Sequence, residues 1–157
     1  MVALAGCDHG RKRTEPPPPP APKQSFLALD REQQRIVQDY QPVSAALTAY
    51  ELEFRDWRLG RLSQVQLLAR AHSYRSVVLA AHDRVRADPA TSETKRAKRL
   101  FVEGLEARAQ ALAALPDIGR YTPLWNRSVV NARAGLTIMQ DVRDRARLIP
   151  LPEDAVS

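Results

Sequence analysis

Few side chains in this chain could do chemistry. Cys7 is the only thiol among 157 residues. One cysteine allows no intramolecular disulfide, no zinc site built from several thiolates and no Cys-x-x-Cys-His haem attachment. The histidines are His9, His72 and His82. A di-iron helical bundle wants a Glu three residues before a His, on two helices. Ala69 and Leu79 occupy those places. His72 and His82 stand ten residues apart and do not share a helix edge. Glu103 with Glu106, and Glu53 with Asp56, share helix faces, where a solvated surface explains them better than paired acid–base work. No Ser/His/Asp set and no glycine-rich phosphate loop can be singled out. The residue types therefore point to a protein with no catalytic residues, no metal site and no cofactor.

What remains is positive charge. Arg11, Lys12 and Arg13 form one basic cluster; Lys95, Arg96, Lys98 and Arg99 form the densest one. The second falls at the start of an expected helix, where it opposes the helix dipole. Both suit an anionic surface: lipid headgroups, an acidic partner or nucleic acid. A net charge of +6 and a pI near 10.0 admit the same partners. The 18 acidic residues are scattered among the bases, which weakens the nucleic-acid reading. Twenty of the 24 basic residues are Arg, a bias that follows from a GC-rich coding sequence as readily as from function. No run of 18 apolar residues occurs, so no segment reads as a membrane-spanning helix.

Leu4-Ala5-Gly6-Cys7 resembles the lipobox of bacterial lipoproteins: an aliphatic residue, two small residues, then the cysteine. Small residues let the signal peptidase reach the backbone, and the thiol accepts a diacylglycerol. The resemblance implies cleavage before Cys7, a lipidated N-terminus, and attachment to a membrane on the extracytoplasmic side of the cell envelope. It covers four residues, but a lone cysteine suits an oxidising compartment. Asp8 resembles the signal that retains such proteins in the inner membrane. A basic and apolar leader should precede a lipobox. Only Met1 to Ala3 stand before it, so the expectation is a translation start further upstream or a trimmed chain. Residues 1–7 then read as the remnant of a signal peptide.

Residues 8–25 read as a disordered basic and proline-rich tether. Six prolines lie between Pro16 and Pro22, and five in succession favour polyproline II. At about 3.1 Å per residue, Asp8 to Ser25 would reach roughly 55 Å. Beside a lipid anchor, each base of Arg11–Arg13 would add about 1 kcal/mol of attraction to an anionic leaflet.

Residues 26–149 carry helix signals and no strand signals; 150–157 read as a disordered tail. Ile36, Tyr40, Val43, Leu47, Tyr50, Phe54 and Trp57 alternate spacings of 4 and 3, an unbroken a/d seam. Its aromatics read as core rather than as a ligand box. Asp30 with Gln33 suggests a capping box at its start, Gly60 marks its end, and Pro42 predicts a kink. Ser63 with Gln66 predicts a second capping box, with Leu67, Ala71, Tyr74, Val78, Ala81 and Val85 as the buried line. A third helix from about Ser92 to Leu115 buries Ala97, Leu100, Phe101, Gly104, Leu105, Leu112 and Leu115. A fourth opens with Thr122 as N-cap and Pro123 at the first helical position, burying Trp125, Val129, Ala132, Leu136 and Met139. Matched lengths and short links predict an all-α, antiparallel up-down four-helix bundle with coiled-coil-like packing. The alternative is a three-helix core with the fourth helix exchanged between chains. The expected function is a non-enzymatic interaction or scaffolding domain on a membrane anchor, binding a protein partner or itself. The alternative is a cytosolic basic helical protein that binds nucleic acid.

Overall fold

The computed structural model describes residues 26–147, which form four helices. They are α1 (Phe26–Arg58), α2 (Gln64–Ala87), α3 (Lys95–Ala114) and α4 (Ile118–Arg147). No strand occurs among the described residues. Each helix packs beside the next in the chain, and α1 closes the ring against α4, so the domain is the up-down bundle expected.

The α1 seam is buried where the spacing places it: Ile36, Val43 and Tyr50 are inside, with Tyr40, Leu47, Phe54 and Trp57 packed against them. Its start differs from expectation. The helix begins at Phe26, so Asp30 and Gln33 are interior residues, not a capping box. The cause is packing: Leu29 is buried against Val142 and Ala146, which draws the helix a turn further. Asp30 instead pairs with Arg143 at 3.5 Å, and Arg143 also donates to Gln33 Oε1 at 3.3 Å. The helix runs through Pro42, which faces solvent. Gln38, whose carbonyl would have received the missing N–H, is likewise an exposed residue. Gly60 takes φ +71°, the left-handed conformation that ends α1, and its N–H returns to Trp57 O at 2.9 Å.

α2 matches expectation in full. Ser63 Oγ accepts from Gln66 N, and Gln66 Oε1 accepts from Ser63 N at 3.0 Å. The six residues expected inside are the six buried.

α3 begins at Lys95, later than Ser92. Thr94 precedes it without capping it: its backbone is already helical, and its hydroxyl accepts from Thr91 N at 3.1 Å while donating to Glu32 Oε2 of α1 at 2.5 Å. Of the expected core line only Leu100 is not fully buried.

α4 departs most. It starts at Ile118, and Asp117 is its cap, accepting from Arg120 N at 3.1 Å. Thr122 and Pro123 lie inside the helix on its exposed side. The earlier start adds Tyr121 to the core; the buried face is Tyr121, Ser128, Gly135, Met139, Val142 and Ala146, with Trp125, Val129 and Ala132 only half-buried beside it. Leu136, expected inside, is 40% exposed.

α3 and α4 approach most closely of any pair, because glycines stand at their crossing. A Cβ on Gly104 would lie 3.2 Å from Ser128 O; one on Gly135 would lie 3.0 Å from the Phe101 ring. The α1–α4 seam is the loosest.

Candidate functional site

The centre of the bundle holds a charge. Arg108 of α3 is only 4% exposed. Its Nε donates to Ser128 Oγ at 2.9 Å, and Nη1 donates to Tyr74 OH at 3.5 Å. The guanidinium lies 5.0 Å from the Trp125 ring centroid and 6.0 Å from that of Tyr40. Arg108 belongs to none of the ion pairs among the described residues. Cation–π contacts and two hydroxyl acceptors offset part of the cost of burying it, but no carboxylate neutralises it.

Around this cation stands a cage of aromatic rings. Tyr50 stacks on Tyr74 at 5.0 Å, Phe54 on Tyr121 at 5.0 Å, and Tyr121 on Trp125 at 5.3 Å. Tyr50 OH donates to Tyr121 OH at 3.4 Å, and Tyr74 OH donates to Val43 O at 3.3 Å. Burial pushes the Tyr50 and Tyr74 hydroxyls up to about 12 and raises those of Tyr40 and Tyr121. The Arg108 charge pulls Tyr40, Tyr74 and Tyr121 the other way without overcoming burial. These tyrosines are neutral packing groups at physiological pH, not general bases.

Beside the cage, the loose α1–α4 seam opens a groove of about 490 Å³. Ile36, Val37, Tyr40, Gln41 and Ser44 of α1 form one wall, Ala132 and Leu136 of α4 the other, and Phe101 of α3 completes it. Val37 and Leu136 are 49% and 40% exposed on its lips. Tyr40 is shared: it lines the groove and lies against the guanidinium.

The basic residues of α3 form a second feature. Lys95, Arg96, Lys98 and Arg99 surround one open depression of about 660 Å³, with Val102 at its apolar side. Lys98 Nζ donates to the Asp88 carbonyl, and Arg99 pairs with Glu103 at 3.7 Å. Lys95 and Arg96 join none of the described ion pairs. The depression stands at the end of the bundle where α1 begins, since Glu32 of α1 is bonded to Thr94.

The structure thus gathers one expected cluster and leaves another unaddressed: Cys7, Arg11, Lys12 and Arg13 lie outside the described residues, as do the proline tether and the C-terminal tail. His72 is exposed, and His82 contacts Asp83 at 3.0 Å. Glu53 and Asp56 pair with Arg70 and Arg61, at 3.1 and 3.6 Å. No group of three potential metal ligands occurs among the described residues, and none of the described helices is long and apolar enough to cross a membrane.

Arg108 was missed by the sequence reading, though a signal was there. The buried line of α3 jumps from Leu105 to Leu112, and the 4, 3 rhythm from Phe101 and Gly104 puts Arg108 in the gap. Comparison with protein-family models, with curated proteins and with solved structures finds no match in any of the three.

Proposed function

We propose that this protein is a membrane-anchored envelope lipoprotein, lipidated at Cys7, whose bundle is a non-enzymatic interaction or scaffolding domain held close to the membrane. The observation that carries this reading is a coincidence of place. The residues of the tether lead into α1 at Phe26. Lys95, Arg96, Lys98 and Arg99 stand at that same end of the bundle. An anchor at Cys7 would therefore bring this cluster toward anionic headgroups, together with Arg11, Lys12 and Arg13. Each base near the surface would add about 1 kcal/mol. The dipole penalty of four bases at a helix start is relieved when they face phosphate.

Two measurements test it. In the native host, the full-length protein should incorporate a fatty-acid label and enter the detergent phase, and Cys7→Ala should abolish both. On vesicles, the purified full chain should float with anionic lipid, and neutralising both bases, Lys95→Gln with Arg96→Gln, should weaken that by about thirtyfold at low salt. A protein unlabelled in the host and unchanged by Cys7→Ala would end the anchor reading. Retention on DNA at near-physiological salt would favour the nucleic-acid alternative.

A further inference from the structure

We propose that the α1–α4 groove binds a single-chain amphiphilic carboxylate, with the chain along the groove and the carboxylate at Arg108. This does not depend on the anchor at Cys7.

Three observations converge on that occupant. The groove walls are mainly apolar, from Ile36, Val37, Phe101, Ala132 and Leu136, with Gln41 and Ser44 as the polar members of the lining, and 490 Å³ lies within the usual size of small-molecule sites. The walls are open at the surface, with Val37 and Leu136 half-exposed on opposite lips. Third, Arg108 lies behind Tyr40, buried and without a carboxylate partner. A guanidinium carries five N–H donors in a fork suited to a carboxylate. Ser128 and Tyr74 take two of them here, both as neutral acceptors. A neutral chain would satisfy the walls and leave the charge unanswered. A small anion would satisfy the charge and leave the walls wet. A fatty-acid-like anion does both.

Tyr40 is the element that must move. Its ring lines the groove and lies 6.0 Å from the guanidinium. It is only partly buried, and rotation about its side-chain bonds is the step by which the groove would reach Arg108. Phe101 touches the same ring edge-on at 6.1 Å and would remain as the floor.

The test is titration of the full chain with laurate, followed by tryptophan emission, since Trp125 lies against Arg108, and by calorimetry. Laurate should bind at least tenfold more tightly than dodecanol, and decanoate should bind about fifteenfold more weakly than laurate, from two lost methylenes. Arg108→Met should erase the preference for carboxylate over alcohol. It removes a buried uncompensated charge but also the donor to Ser128 Oγ, so circular dichroism is recorded on the same variant and should show the helices retained. Leu136→Glu, on an exposed lip, should weaken laurate binding at least tenfold without altering the circular dichroism. Equal affinity for laurate and dodecanol, or no response to Leu136→Glu, would overturn the proposal. So would a concentration-dependent dimer lost in Leu136→Glu with no laurate response, which would assign the groove to a second copy of the chain.

Discussion

Alkali should unfold this domain in one cooperative step that begins above the ordinary tyrosine range. All four tyrosines of the chain are in the bundle: Tyr50, Tyr74 and Tyr121 are at most 6% exposed, and Tyr40 is partly buried. Burial raises every one of them, with Tyr50 and Tyr74 at about 12. In the unfolded chain they ionise near 10. Below pH 10 both states hold their protons, so the neutral rings contribute their full stability. Above it the unfolded chain loses protons that the folded one keeps, and stability falls as pH rises. Each tyrosine withdraws about 1.4 kcal/mol per pH unit in that window. Tyr50, Tyr74 and Tyr121 together withdraw about 4 kcal/mol per unit, or about 6 kcal/mol by pH ~11.5. That is comparable to the whole stability of an ordinary domain, roughly 5–15 kcal/mol. Tyrosinate absorbance and far-ultraviolet circular dichroism, recorded on the same samples, should therefore change together between about pH 11 and 12. Two or more tyrosines ionising near pH 10 with the helical signal intact would refute the burial of the aromatic cage.

Two further outcomes follow from other parts of the bundle. Asp88, which ends α2, has its carboxyl raised, first by burial and then by the facing Asp39, against the opposing pull of Lys98 and Arg35. Its buried Oδ2 has no donor, so ionisation is resisted and stability declines as pH rises from the usual aspartate range through the raised value. Asp88→Asn should raise the melting temperature at pH 7 and lose that advantage toward pH 4, as thermal scans would show. Gly135→Ala should lower stability by about 1–2 kcal/mol in urea titration, since overpacking against the Phe101 ring and Ala97 O outweighs the better helix propensity. Gly119→Ala, which meets only Asp117 Oδ1 at 3.3 Å on an exposed turn, should change it by less than about 0.5 kcal/mol.

How much of this could be read beforehand depended on whether the deciding contact was local. The Ser63–Gln66 box and the α2 line were legible because each signal lies within one helix. Thr122-Pro123 misled because it has the form of a helix start. The competing cap, Asp117, comes with Tyr121, whose place is fixed by stacking on Phe54 of α1. That contact spans more than sixty residues of chain and leaves no local mark. Asp30 misled for the same reason, overruled by Leu29 against Val142 and Ala146. The run Lys95–Arg99 was visible as charge, but its place beside the start of α1 depends on Thr94 reaching Glu32. Arg108 was hidden by a rule of thumb: a charged residue on an apolar line is skipped, although here the rings of Tyr40 and Trp125 make burial tolerable.

The groove follows from how residue sizes are distributed among the helices. Small residues at the α3–α4 crossing, Gly104 and Ser128 on one level and Ala97 and Gly135 on another, let those backbones close on each other. α1 presents large rings instead, and large side chains hold helices apart. Its upper part is nonetheless fixed to α4, because Tyr50 and Phe54 lie against Trp125 and Tyr121. Its lower part is fixed by Leu29 against Val142 and by Asp30 and Gln33 on Arg143. Between these two points, from Ile36 to Ser44, α1 meets α4 across the groove. Pro42 stands in that same span and removes one of the hydrogen bonds that stiffen it. This segment is held to α2 and α3, by Val43 in the core, by Tyr74 on the Val43 carbonyl and by Asp39 on Arg84, but faces α4 across the groove. It carries Tyr40, the ring shared by the groove and Arg108. With the backbone of α1 fixed on α2 and α3 and open only toward α4, the side chain of Tyr40 can turn while the bundle stays folded, which is what a site roofed by that ring requires.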